Sequence, residues 1–310
     1  MIALDQMEGS PLKQEHVAPF LESQQTSLKN TGIWVLKHRP AWSNVVLSYL
    51  QDQHSQGEIP EDERESLTEL MSASTHHEPL QRWMANRLAQ RNVSDDEKEI
   101  LLDAMQRSPL KDFPMAWKTT LREVLATASP EMQEQVLGIV TARRLAGFGE
   151  ILTTNFMNTR QPAAFRLKSL GARMHSEPRL APLEFRTVIA FLDSTHVSAV
   201  RHAAVNVLSQ ADLARAQMLT IAREVIPRAH PFLIPSLVNV FEGCDDKQTL
   251  LALIEAISAS PQLLELLPKS DLERIFNTFP PEVKDRSAVL MKLVDERDAS
   301  RLSALEGLEH

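Results

Sequence analysis

The chain has 310 residues, 43% of them hydrophobic, enough for one large buried core or several stacked ones. Its 33 basic and 41 acidic residues leave a net charge of -8, which favours solubility and argues against a phosphate backbone as the main partner. Cys244 is the single cysteine, which excludes an intrachain disulfide, a Cys-rich metal site and a CxxCH haem attachment within these residues.

The N-terminal stretch MIALDQMEGSP has neither a basic start nor an apolar run, so no signal peptide is expected there. Residues 1–27 are expected to form a cap made of a loop and a short helix. From about Leu28 onward, apolar residues recur at helical spacing. Examples are Trp42/Val46/Tyr49/Leu50, Leu80/Trp83/Met84/Leu88, Trp117/Leu121/Val124/Leu125, Phe185/Val188/Ile189/Leu192 and Leu250/Leu251/Ile254/Ile257. Strict alternation over a strand length does not occur, so the fold class is all-α.

Start signals divide these stripes. Ser94 before Glu97 and Ser270 before Glu273 have capping-box spacing. Pro79, Pro130, Pro162 and Pro281 suit first helical turns, where a missing N–H costs nothing. The first helices of successive pairs are placed near Leu28, Glu61, Asp95, Pro130, Ala163, His196, Pro231 and Ser270. The intervals of about 33 to 39 residues are nearly constant, which predicts an α-α superhelix, or solenoid, of about eight HEAT-like helix pairs over residues 28–307. An amphipathic pair cannot bury its apolar face alone, whereas a stack of pairs makes a continuous core. The stretch VSAVRHAAVNVL fits a HEAT-like second helix, with Val197, Val200, Ala204, Val207 and Leu208 expected on one face. The last three residues, Leu308 to His310, look like the remnant of a histidine tag.

No Walker loop, HExxH, GxSxG or GxGxxG pattern occurs. His76 and His77 point apart on a helix and read as a solvated turn. His196 and His202 are six apart and do not share a helix face, so they make a poor metal pair. Cys244 in GCDD sits beside carboxylates that disfavour its thiolate, and Asp245 or Asp246 is expected to cap a helix near Lys247. The stripes around Trp34, Trp42, Trp83 and Trp117 are expected in the core. The residues therefore predict no catalytic group, no cofactor, no metal and no small-molecule site. Arg201 and His202 are the one candidate pair for a partner-binding inner face, with the Arg201 stem lying along apolar surface.

Three stretches carry a family resemblance: SLKNTGIWVLKHRPAWSNVVLSYL, FLDSTHVSAVRHAAVNVLSQADL, and PFLIPSLVNVFEGCDDKQTLLALIEAISASPQLLELLPKSDLERIFNTFPPEV. Together they resemble the HEAT-repeat region of the large planctomycete-type membrane-bound dehydrogenase or haem-binding proteins. In that family the helical region lies between a quinoprotein-like β-propeller and a cytochrome c-type domain. The resemblance implies an extracytoplasmic setting and a non-enzymatic spacer or docking module, whose partners are proteins or flanking domains of the parent chain. It assigns no haem-attaching or catalytic residue to this chain. Two rivals use the same helical architecture: a free-standing adaptor, and a HEAT-like DNA glycosylase, which would need a basic groove that the interleaved charges do not provide.

Overall fold

The computed structural model describes residue 2 and residues 12–23, 25–55, 59–277 and 279–306. The tag-like residues 308–310 and most of the first eleven lie outside them. The described residues contain helices and turns and no strand. They divide into two compact units, Met1–Ile151 and Leu152–His310.

In the first unit the helices are α1 (Gln14–Leu21), α2 (Thr26–Lys37), α3 (Ser43–Ser55), α4 (Glu61–Ala73), α5 (Glu78–Ala89), α6 (Asp95–Arg107), α7 (Met115–Thr127) and α8 (Pro130–Ala142). A ninth helix, α9 (Gly149–Met157), runs across the division. From α2 to α8, helices two places apart pack together: α2 on α4, α4 on α6 and α6 on α8 in one row, α3 on α5 and α5 on α7 in the other. The short helix expected in residues 1–27 is α1, which packs on α2. Gly32 permits that approach, since a Cβ there would meet Leu21 Cδ2 at 3.0 Å and Phe20 Cβ at 3.2 Å.

The second unit holds α10 (Ala163–Met174), α11 (Pro182–Ala190), α12 (Ser198–Gln210), α13 (Arg215–Thr220), α14 (Ile234–Asn239), α15 (Lys247–Ser258), α16 (Pro261–Leu266), α17 (Lys269–Phe276) and α18 (Pro281–Glu306). The two-place pattern recurs where α10 packs on α12, α12 on α14 and α13 on α15, and α15 then packs on α18, three places along. After α13 the helix loosens into a π turn at Ile221–Val225 and a 3-10 turn at Ile226–Arg228, where Pro227 lacks the N–H that an α-helix needs.

The pairing has a chemical register. Side chains bond to groups about one helix pair away: Thr75 Oγ1 to Ser108 Oγ at 2.8 Å, Trp117 Nε1 to the Gln81 carbonyl at 2.9 Å, and Gln217 Nε2 to the Leu180 carbonyl at 2.9 Å, separations of 33, 36 and 37 residues. Arg143 donates to the Gln106 carbonyl at 2.6 Å and also to that of Ser108, while Arg297 donates to the Leu267 carbonyl at 2.9 Å. These guanidinium groups satisfy carbonyls at or beyond helix ends, which no intrahelical N–H can reach.

Helix starts at Glu61, Asp95, Pro130 and Ala163 coincide with the sequence expectation, as does the capping of α6 by Ser94, whose hydroxyl accepts the Glu97 N–H at 3.2 Å. Asp246 caps α15 through the Thr249 N–H at 2.8 Å. Four expectations about helix ends and core need correction. Pro162 is the N-cap residue of α10 and does not enter its first turn. Ser270 is no cap, because α17 already begins at Lys269 behind Pro268. Val197 is the N-cap residue of α12 and is 69% exposed, so the buried face starts at Val200. Of the four tryptophans only Trp117 is fully buried; Trp34, Trp42 and Trp83 are half-buried.

Gly138 lies exposed in the interior of α8, and a Cβ there would meet nothing within 4 Å. Gly138→Ala removes backbone freedom from the unfolded chain without a steric cost, so it should stabilise the protein by about 0.5–1 kcal/mol in urea unfolding.

Candidate functional site

The predicted pair, Arg201 and His202, sits in the first two turns of α12. The structure does not bring the two side chains to one task. His202 is exposed, with Nδ1 2.9 Å from the Ser198 carbonyl one turn back. Arg201 is half-buried: its Nε and Nη1 are enclosed and have no hydrogen-bond partner. Adjacent helical residues diverge by about 100°, which separates them. The alanines that follow serve packing, with Ala204 fully buried and Ala203 against the same core.

The other candidate residues also fall into place. His76 is exposed, its Nε2 3.2 Å from Ser43 Oγ, whereas His77 is half-buried with Nε2 enclosed and unpartnered. The solvated-turn reading therefore holds for His76 alone. His196 rests its ring 5.2 Å from that of Phe191. Burial pushes the Cys244 thiol above its ordinary range, and the charges of Asp245 and Asp246 act in the same direction. No group of three or more His, Cys, Asp or Glu residues suited to a metal ion occurs among the described residues. Nor is any described helix long and apolar enough to cross a membrane.

Sequence reasoning missed a polar cleft of about 730 Å³ in the first unit, lined from α1 to α4 and by the segment before α4. Its wall holds an ion pair, Lys29 Nζ to Glu63 Oε2 at 2.6 Å, with both side chains only 12% exposed, and Lys29 also donates to Gln53 Oε1 at 3.1 Å. Tyr49 lines the same cleft, its hydroxyl enclosed and without a partner. Burial first, and the Glu63 charge second, push this phenol above its ordinary range, so it stays protonated. Glu22, Asp52 and Glu63 oppose Lys29 alone in the lining, an imbalance that favours neutral or cationic molecules over anions. The Lys29–Glu63 separation of 34 residues, one repeat, was the signal available in the sequence.

Neither a scan of protein-family models nor a search of curated proteins finds a match for this chain. The functional reading therefore rests on its own residues and on the resemblance stated above.

The second unit contains a buried ion pair with two parallel hydrogen bonds. Arg173, in the last turn of α10, grips Glu184 in the first turn of α11, with Nη1 to Oε1 at 2.6 Å and Nη2 to Oε2 at 2.8 Å; both side chains are 7% exposed. The Thr153 hydroxyl and the Arg179 carbonyl accept further bonds from Arg173, and Glu184 accepts the Ala181 N–H at 2.8 Å. The first unit repeats the device with Arg87, near the end of α5, and Glu97 at the start of α6. Such forks fix how one helix ends and the next begins, and they offer no open coordination to a substrate.

Proposed function

We propose that the chain is a non-catalytic HEAT-like scaffold, an armadillo-like α-solenoid in each unit, that positions flanking domains or binds protein. The observation supporting this most directly is the register of side-chain bonds between groups 33 to 37 residues apart, accompanied by helix-on-second-helix packing. Contacts limited to neighbouring repeats are what repeat scaffolds are built from.

A deletion tests the repeat reading. Ser94 and Ser129 are equivalent N-caps, accepting from the Glu97 N–H at 3.2 Å and the Met132 N–H at 3.4 Å. Removing residues 94–128 joins Val93 to the second cap and takes out one whole pair. The shortened protein should keep its helix content per residue and melt cooperatively at a lower temperature. Loss of the fold by circular dichroism would overturn the reading, because a single indivisible core does not survive excision of its middle.

The resemblance to planctomycete-type dehydrogenases adds a context: an extracytoplasmic redox protein in which this region lies between a propeller and a cytochrome c-type domain. Sequencing the gene on both sides checks it. A CxxCH segment downstream with a propeller-like region upstream is expected. Neither feature in the same reading frame would remove the redox context and leave an adaptor.

A further inference from the structure

The fourth residues of α2, α4, α6, α8, α10 and α12 are Lys29, Arg64, Lys98, Gln133, Arg166 and Arg201, a register of cations interrupted once. In the first unit these cations are neutralised at the helix starts. Lys29 pairs with Glu63 at 2.6 Å, Arg64 with Asp96 at 2.7 Å and Glu61 at 2.8 Å, and Lys98 with Asp95 at 3.5 Å. Those acids sit in first turns, where the helix dipole also favours them.

In the second unit the corresponding row lacks these acids. The first turns of α10 and α12 contain no acidic residue. Arg166 donates Nε to the Phe156 carbonyl at 2.7 Å and lies over the Phe156 and Phe191 rings, without an ion pair among the described residues. Arg201 has neither an ion pair nor an acceptor for its enclosed Nε and Nη1. The nearest acid in sequence, Asp193, is occupied by the Thr195 N–H at 2.9 Å. The 3-10 turn Pro231–Leu233, which packs on α12, raises Phe232 to 78% exposure beside the His230 ring.

We propose that the starting edge of α10 and α12, with the neighbouring Phe232, receives an acidic peptide segment of a protein partner. The charge complementarity is specific to this unit: two partly desolvated guanidinium groups occupy the register that carboxylates serve in the other unit. A partly dehydrated Arg201 gains more from an incoming carboxylate than a fully hydrated cation would, because part of its desolvation has already occurred. Phe232, exposed on a turn that packs on α12, offers the partner an apolar ring in the surroundings of the same helix. The proposal rests on the scaffold reading, yet the deletion above tests folding without any ligand, so the two fail separately.

The test is fluorescence anisotropy of a labelled oligoglutamate peptide with the full chain at low salt. Binding is expected, weakened about tenfold or more by Arg201→Gln and unchanged by Arg64→Gln, whose cation is already neutralised in the other unit. Phe232→Ser, at an exposed site that leaves folding intact, should weaken binding several-fold, and this provides a reading even if Arg201→Gln unfolds the protein. No binding by the wild type, equal binding by Arg201→Gln with an unchanged melt, or equally tight binding of an oligothymidylate would overturn the proposal.

Discussion

Replacing Ala204 by glutamate should lower the melting temperature by about 10–15 °C. Ala204 is fully buried in α12, inside a cluster that includes Leu170, Val188, Val207, Leu208 and Leu237. Helices α10 and α12 pack against each other, and a Cβ at Gly171 would already be in ordinary van der Waals contact, 3.9 Å, with Val207 Cγ2. A glutamate at 204 must push helices apart and strand a carboxylate without a partner. Overpacking costs about 1–3 kcal/mol, and an unpaired buried polar group costs a comparable amount or more. Together about 4 kcal/mol shifts the melt of a unit this size by the stated amount. Ala204→Ser, much smaller, should lower it only slightly. A glutamate variant melting like the wild type in calorimetry would mean that the second unit buries a different face of α12.

The burial of Ala204 is legible from periodicity, and so are the starts of α4, α6, α8 and α10, because the 3.6-residue repeat and the caps act locally. Val197 fits the buried face by spacing, because valine at the right interval looks like core. The chain is still extended there, at the N-cap, so the helical spacing does not yet apply. Trp34, Trp42 and Trp83 fit the stripes but remain half-buried, since a large ring can cover the core with one edge in water. The Tyr49 cleft needs four helices to converge, which no single stripe encodes. The place of Arg201 in the helix is legible from sequence; that its charge lacks a carboxylate depends on which acids the neighbouring repeat presents.

The Arg173–Glu184 pair escaped the sequence for a related reason. Glu184 stands three residues after Ala181, which has no side-chain oxygen to complete a capping box, so only half of the signature exists. Its removal should nonetheless be among the most damaging single changes. Arg173→Ala leaves Glu184 enclosed with the Ala181 N–H as its remaining donor, and breaking a buried pair in this way costs about 3–5 kcal/mol. Arg173→Met with Glu184→Leu, which removes both charges, should recover most of that loss.

The pH dependence separates this account from mere loss of packing. Burial alone would raise the Glu184 carboxyl, but the Arg173 hydrogen bonds, the Ala181 N–H and the Arg173 charge outweigh it and hold the group below its ordinary range. A depressed folded-state value means that the carboxylate contributes stability above the unfolded carboxyl range and loses it as pH falls through the folded value. The stability gap between wild type and Arg173→Ala, measured by urea unfolding, should therefore be widest near neutral pH and close only as pH falls below the ordinary carboxyl range, through the depressed folded-state value of Glu184. A gap that stays constant over that range would assign the loss to the missing arginine stem rather than to the ion pair.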